Sequence, residues 1–165
     1  MNVFNDLESP VYYTDTDSIH CNTLDIPRVA EEYKQRYGRS LIGKQLGEFH
    51  GDFDAEGDYQ NVNSRLFIGL GKKSYVDILQ SEGKDIGQYH ARLKGITTEG
   101  LQHTLETIGG DEVKAVIHLY TKLADGQEHK FLLNPKLANG KKKMLLDFNK
   151  GMIRTKRLFY RTLAF

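Results

Sequence analysis

The chain has 165 residues, a length that suits one medium-sized domain or two small lobes with a buried core. Its hydrophobic content of 39% is ordinary for a globular protein, and its apolar runs are too short for a membrane helix, so we expect no membrane partner. Cys21 is the only cysteine, which excludes an intrachain disulfide and a cysteine-based zinc site. With no secretory pattern near Met1, we expect an intracellular protein that is not secreted.

Charge is distributed unevenly, although the net charge is only +1. Residues 1–60 hold twelve acidic and five basic side chains, whereas residues 130–165 hold ten basic side chains and one acid, Asp147. A cationic segment suits binding to a phosphate backbone, because each neutralised phosphate releases counterions. A solvated basic face is the alternative interpretation. The pattern therefore suggests a divalent metal near the acidic part and nucleic acid near the basic part.

The predicted elements begin with a β-hairpin whose tip carries two aspartates, Asp15 and Asp17. A helix follows over residues 27–37, with Asp25 as its N-cap and Gly38 as its stop. Loose alternation of apolar and polar residues predicts a half-exposed strand over 46–54.

Beyond this point the pattern predicts a β-rich segment and then a helical one. The predicted strands are 61–70, 74–79 and 88–94, and the predicted helices are 98–108 and 111–123. From residue 128 the pattern is β again, ending in a basic strand over 156–165. We place a lobe boundary near Gly95, which predicts domains 1–95 and 96–165.

The hairpin tip is the most informative segment. Two carboxylates two residues apart can face one pocket, and oxygen-only ligands suit Mg²⁺. Phosphoryl transfer uses such carboxylates to hold two metal ions. An EF-hand loop beginning at Asp15 is excluded, because Ile19, His20 and Ile26 occupy positions that need other residues. A structural turn, in which Asp and Ser are common, is the remaining alternative for this segment. His20, next to Cys21, is interpreted as a strand residue rather than as half of a nucleophilic dyad.

This segment resembles motif C of family B DNA polymerases, a Tyr-x-Asp-Thr-Asp-Ser pattern between two apolar strands. The matching residues are Tyr13, Thr14, Asp15, Thr16, Asp17 and Ser18. The resemblance implies that Asp17 ligates both catalytic Mg²⁺ ions and that Asp15 supports the site less directly. Only part of that two-metal site would come from this chain.

A second segment, residues 64–79, resembles the region downstream of motif C, where a Lys-x-Tyr element reaches the primer duplex. Lys73 and Tyr75 occupy its positions, and Lys72 is adjacent. A lysine can donate to minor-groove acceptors common to all base pairs, and a tyrosine hydroxyl can bond to phosphate. A P-loop is excluded at this turn, because Leu66 and Lys73 stand where that motif needs other residues.

Two further stretches resemble the family in the same order. Residues 42–53 are similar to the strand between these motifs, and residues 90–96, with Lys94, are similar to the Lys-Gly element where palm meets thumb. Among family B polymerases, these segments are most similar to those of large DNA viruses and of the protein-primed viral and plasmid group. The resemblance implies an α+β fold. Its first part would be the remainder of a polymerase palm, made of antiparallel β-strands with a helix. Its second part would be a thumb of mixed helices and strands, in which Lys141, Lys142 and Lys143 contact DNA.

The family's motif A and fingers elements are not found in these 165 residues. We therefore expect part of a DNA-directed DNA polymerase that is inactive alone. Its expected partners are primer-template DNA, deoxynucleoside triphosphates and a separate or missing N-terminal portion carrying exonuclease, motif A and fingers. Two alternatives remain: a non-catalytic DNA-binding relic or subunit of a split polymerase, and a structural protein in which both motifs are coincidental.

Overall fold

The computed structural model describes residues 1–133, 144–147, 152–155, 160–163 and 165. These residues form four helices, nine strands and a short 3-10 turn at Thr23–Asp25. The helices are α1 (Asn2–Asp6), α2 (Ile26–Tyr37), α3 (Thr98–Ile108) and α4 (Glu112–Ala124). The strands are β1 (Val11–Asp15), β2 (Ser18–Cys21), β3 (Val62–Gly71), β4 (Ser74–Ser81), β5 (Lys84–Leu93), β6 (His129–Leu132), β7 (Met144–Asp147), β8 (Met152–Thr155) and β9 (Tyr160–Leu163).

The chain divides into two compact units. The first unit comprises Met1–Phe67 and Asp77–His90, and the second comprises Ile68–Val76 and Ala91–Phe165. The three boundaries between the units fall inside β3, β4 and β5, one in each strand. The turn with Lys72 and Lys73 therefore belongs to the second unit, whereas the expected grouping placed it with the acidic hairpin.

The first unit has a small apolar core between its two helices and the hairpin β1–β2. Val3 and Phe4 of α1 and Val29 of α2 are buried there, and Ile19 and Cys21 of β2 pack against them. α2 begins at Ile26 with Pro27 in its first turn, where the missing N–H costs nothing, and ends at Gly38 in the left-handed conformation. The core therefore holds one face of the hairpin.

The strands β3, β4 and β5 form one sheet with β4 in the centre. A two-residue turn, Lys72–Lys73, joins β3 to β4, and Glu82–Gly83 joins β4 to β5. Residues 74–79 of β4 are buried without the alternation of a half-exposed strand. Such continuous burial is expected of a strand that has neighbours on both sides and covered faces.

The second unit packs α3 and α4 with the β-pair β6–β9. Leu119, Tyr120 and Leu123 of α4 and Phe131 of β6 are fully buried. Both helices begin at a side-chain cap: Thr97 Oγ1 accepts from the Gly100 N–H at 3.0 Å, and Asp111 accepts from Lys114 at 2.9 Å. These caps satisfy amide groups that a helix start leaves unpaired.

Most predicted elements are confirmed, and the α+β class with antiparallel pairing is confirmed with them. The predicted strand over 46–54 is wrong, because Leu46 is fully exposed and Gly47 has a positive φ of 90°. That segment forms turns with one isolated bridge, Ile42 to Phe49. Asp25 stands at the α2 N-cap, but its carboxylate accepts from Ser9 at 2.8 Å instead of capping the helix.

Strand Tyr160–Leu163 lies within the predicted basic strand over 156–165, while residues 156–159 are outside the described part. Lys141, Lys142 and Lys143 are also outside it. Within the described part of the chain, no helix is both long and apolar enough to cross a membrane. The palm and thumb identity of the two predicted domains stays a prediction.

Candidate functional site

The acidic hairpin, residues 11–21, places its two aspartates at a tight turn. Asp15 pairs with Ser18 across the antiparallel strands, so Thr16 and Asp17 form a two-residue turn. Thr16 has a φ of 57°, a left-handed conformation that is rare for a β-branched residue. Backbone strain of this kind costs about 1–3 kcal/mol and is concentrated at functional sites. The turn thus places Asp15 and Asp17 at the end of the hairpin, and the strained backbone of Thr16 is the conformational cost of that placement.

The two carboxylates differ in their surroundings. Asp15 is half-buried, and its Oδ1 accepts a hydrogen bond from the Thr16 hydroxyl at 3.2 Å. The Ser18 hydroxyl closes the turn by donating to the Asp15 carbonyl at 3.1 Å. Asp17 is exposed, and no residue in the described part of the chain hydrogen-bonds or pairs with its carboxylate. Asp17 is therefore the acid that is accessible to a metal ion, and Asp15 is the better oriented one.

These two residues fit a partial magnesium site. Their carboxylate oxygens are the hard donors that Mg²⁺ prefers, and Mg²⁺ is commonly held by one or two protein carboxylates with water and substrate phosphates. Over the described ranges, no group of three or more His, Cys, Asp or Glu side chains comes together in a way that could hold a metal. Further ligands would have to come from a phosphate or from another polypeptide.

His20 lies on the same face of the hairpin as Asp15. It stands opposite Tyr13 in the strand pairing, and side chains two residues apart in a strand share a face. Its Nε2 lies 3.1 Å from Oδ2 of Asp77, whose side chain is completely buried in β4. Sequence reasoning treated His20 only as a strand residue. A signal was available, because an aspartate within the apolar run of β4 requires a buried partner.

The turn between β3 and β4, here called the lysine turn, exposes two cations. Lys72 and Lys73 are both exposed at its tip, and Lys73 has a positive φ of 59°. Tyr75, two residues on, is only 6% exposed. The lysines are therefore accessible to a ligand, whereas Tyr75 has almost no surface for a duplex. The contact between Tyr75 and DNA stays a prediction, and the burial of the Tyr75 side chain argues against it.

The second unit brings a third predicted lysine to the lysine turn. The backbone N–H of Lys94 donates to the hydroxyl of Ser74, the first residue of β4, at 3.1 Å. Arg161 of β9 joins them, since its guanidinium donates to the Gly95 carbonyl at 2.9 Å. Lys72, Lys73, Lys94 and Arg161 are all exposed. Because these bonds connect the chain next to each of the four residues, we call the four the cationic cluster. Arg161 is one of the ten basic residues counted over residues 130–165, the segment expected to bind a phosphate backbone.

A second acid-rich segment, residues 52–58, has a structural explanation. The Asp54 carboxylate accepts the N–H groups of Glu56 at 2.8 Å and Asp58 at 3.1 Å, and the side-chain amide of Asn61 at 2.7 Å. These bonds, with the Asp58 N–H the largest contributor, hold the pKa of Asp54 below its usual range. Its oxygens are thus committed to the loop.

Comparisons with protein-family models, with curated proteins and with solved structures found no match to this chain. The chain's own residues are therefore the basis for a functional assignment. Two features are available for that purpose, the acidic hairpin in the first unit and the cationic cluster in the second.

Proposed function

We propose that these residues are the C-terminal palm and thumb portion of a family B DNA-directed DNA polymerase, which acts in DNA replication by template-directed nucleotidyl transfer. The observation that carries the proposal is the two-residue turn Thr16–Asp17, which presents an accessible carboxylate between two antiparallel strands. The cationic cluster follows later in the chain, in the order that the family resemblance requires. The viral or protein-primed subgroup is part of the same proposal.

In this proposal Asp17 and Asp15 hold Mg²⁺, which when bound neutralises the developing charge on the transferred phosphoryl group. Asp17 binds the metal through an exposed carboxylate, so little protein contact has to be broken. The Thr16 hydroxyl restricts the Asp15 carboxylate by its hydrogen bond to Oδ1. The hairpin's task is therefore to bring the two carboxylates to the same end of the two strands.

The cationic cluster is proposed to hold the primer-template duplex by its phosphates. Lysine and arginine side chains position a duplex in this way without reading its sequence. Lys94 and Arg161 extend the two lysines of the turn into a patch formed by three separate parts of the chain. Lys141, Lys142 and Lys143 belong to the same proposal on sequence grounds alone.

The remaining parts of a polymerase are proposed to come from an N-terminal portion that supplies exonuclease, motif A and fingers. That portion would contribute the second metal-binding aspartate and the lysine that binds the deoxynucleoside triphosphate. The described acids support this division of labour, because two carboxylates at one turn provide too few ligands for a pair of metal ions.

The proposal is tested by complementation. The chain is mixed with a polypeptide carrying exonuclease, motif A and fingers, and nucleotide incorporation on a primed template is measured with Mg²⁺. We expect Asp17→Asn to lower incorporation at least about a hundredfold, because loss of a direct ligand should cost no less than loss of a residue that orients one.

Asp52→Asn is the matched control, since Asp52 is an exposed aspartate in the same unit. Its incorporation rate should equal that of the wild type. Activity that survives Asp17→Asn would reject the assignment of Asp17 as a metal ligand.

A second candidate, a DNA-binding module without chemistry, is favoured by one observation. The cationic cluster is assembled within the second unit and does not require the acidic hairpin. This candidate predicts duplex binding that is insensitive to Asp17→Asn and Mg²⁺.

Both candidates predict that the double variant Lys72→Ala/Lys73→Ala weakens duplex binding. For every phosphate that the variant no longer neutralises, the slope of log affinity against log salt should fall by about 1. Fluorescence anisotropy over a salt series measures this slope. Lys84→Ala, an exposed lysine beside the other turn of the same sheet, is the control and should leave it unchanged. An unchanged slope in the double variant would reject the lysine turn as a DNA-binding element.

A further inference from the structure

His20 connects the acidic hairpin to the residues of β3 and β4 that belong to the first unit. Its ring lies 4.6 Å from that of Phe67 in β3 and 5.5 Å, edge on, from that of Tyr13 in β1. Its Nε2 bonds to Asp77 in β4. The opposite face of β2, with Ile19 and Cys21, packs against the helical core. The strand that follows Asp17 is therefore held on both faces.

Among these contacts of His20, the hydrogen bond to Asp77 depends most on the orientation of the imidazole ring. Asp77 is 0% exposed, and its Oδ1 has no hydrogen-bond partner within the described part of the chain. A buried carboxylate that lost its remaining partner would carry the full desolvation penalty. The buried Asp77 carboxylate thus strongly favours a His20 position in which Nε2 stays within hydrogen-bond distance of it. The aromatic contacts alone would allow the His20 ring to shift along its neighbours.

The position of His20 affects Asp17 because only a short stretch of extended strand separates the two residues. β2 begins at Ser18, directly after Asp17, and His20 is the third residue of that strand. Three residues of extended chain span only about 10 Å, so a shift at His20 is transmitted to the turn. Ser18, on the same face as His20, in turn bonds to the Asp15 carbonyl.

We infer that His20, tied to Asp77, is a positioning residue that sets the geometry of the Asp15 and Asp17 carboxylates for a divalent cation. The inference rests on the proposed function of the hairpin as a metal-binding element. Residues that orient metal ligands typically alter metal affinity about 10–100-fold when they are changed. In this role His20 would act through the hairpin and would not itself ligate the ion.

The test uses Mn²⁺ as the probe and the full chain as the protein. Residue-specific paramagnetic broadening of the amide NMR signals of Thr16, Asp17 and Ser18 is followed during a Mn²⁺ titration. His20→Phe retains an aromatic ring but removes the donor to Asp77, and we expect about tenfold weaker Mn²⁺ binding at the turn. His20→Gln supplies an amide nitrogen at a similar reach, so it should restore most of the affinity.

A double variant separates positioning from stability. In His20→Phe/Asp77→Leu no buried carboxylate is left unpaired, so folding should recover even if the single variant is unstable. Weak Mn²⁺ binding in the folded double variant would support the inference, and wild-type binding there would overturn it. His118→Phe is the matched control at an exposed histidine of α4 and should bind Mn²⁺ normally. Absence of broadening at the turn of the wild type would instead reject the proposed metal role of Asp17, because His20 is intact in that protein.

Discussion

Asp17 and Asp77 show how surroundings give one residue type two roles. Asp17 is exposed at a turn with no partner among the described residues, so its carboxylate has the access to solvent that metal binding needs. Asp77 is completely buried and held by His20, so it cannot reach solvent or a ligand. Since the two side chains are identical, only their burial and partners separate a candidate ligand from a structural anchor.

Cys21 allows a prediction that depends on its surroundings rather than on its sequence. Burial raises the pKa of its thiol, and the nearby Asp25 carboxylate raises it further. Because only the thiolate is nucleophilic, we expect Cys21 to react with a disulfide reagent several-fold more slowly than a free thiol at pH 8. The rate should rise as the pH approaches the raised pKa, and absorbance during the reaction measures it.

Asp25→Asn removes the second cause, so the pH profile of the Cys21 reaction should move to lower pH. Asp52→Asn, which changes an exposed acid, should leave the profile in place. A profile that is the same in Asp25→Asn as in the wild type would contradict the role of the Asp25 charge.

At the level of elements, α3 contains a glycine that is needed for packing rather than for flexibility. A Cβ on Gly100 would lie 2.9 Å from the Leu132 carbonyl oxygen and 3.1 Å from Thr97 Oγ1. Alanine normally stabilises a helix by about 1 kcal/mol relative to glycine, but overpacking typically costs about 1–3 kcal/mol. The neighbouring backbone atom cannot rotate away, so the steric cost decides.

We therefore expect Gly100→Ala to lower the free energy of unfolding by about 1 kcal/mol, measured by urea denaturation. Gln102→Ala, at an exposed position of the same helix, is the control and should be neutral or slightly stabilising. A more stable Gly100→Ala protein would show that β6 can move away from α3 at little cost.

The elements also show where sequence patterns are reliable. The sequence predicts α2 to within one residue, because Pro27 and Gly38 act through their own backbone geometry. The strand predicted over 46–54 is wrong, because a weak alternation says nothing about whether a partner strand is present. Leu46 faces solvent, and Gly47 adopts a φ that an extended strand does not allow.

For the whole molecule, the charge distribution and the two units agree with a division of labour. The acidic hairpin lies in the first unit and the cationic cluster in the second. In the proposed function the first contributes metal ligands and the second contributes phosphate contacts. Neither supplies motif A or the fingers, which are not found in these 165 residues.

We accordingly expect these 165 residues alone to incorporate no nucleotides on a primed template with Mg²⁺, because one hairpin with two carboxylates cannot hold both catalytic ions. A radiolabelled primer-extension assay measures this, with the complemented mixture as the positive control. Extension by the isolated chain that disappears in Asp17→Asn would contradict the expectation and would imply a complete active site in these residues.

The sequence by itself determined the α+β class, most helices and strands, and the order of the acidic and lysine motifs, because each depends on local backbone preference or on spacing along the chain. Only the tertiary structure decided that His20 meets Asp77, that Tyr75 is buried, and that Lys94 and Arg161 join the lysine turn. These contacts join residues from 20 to 66 positions apart. Such pairs form through packing of separate elements, which no local pattern encodes.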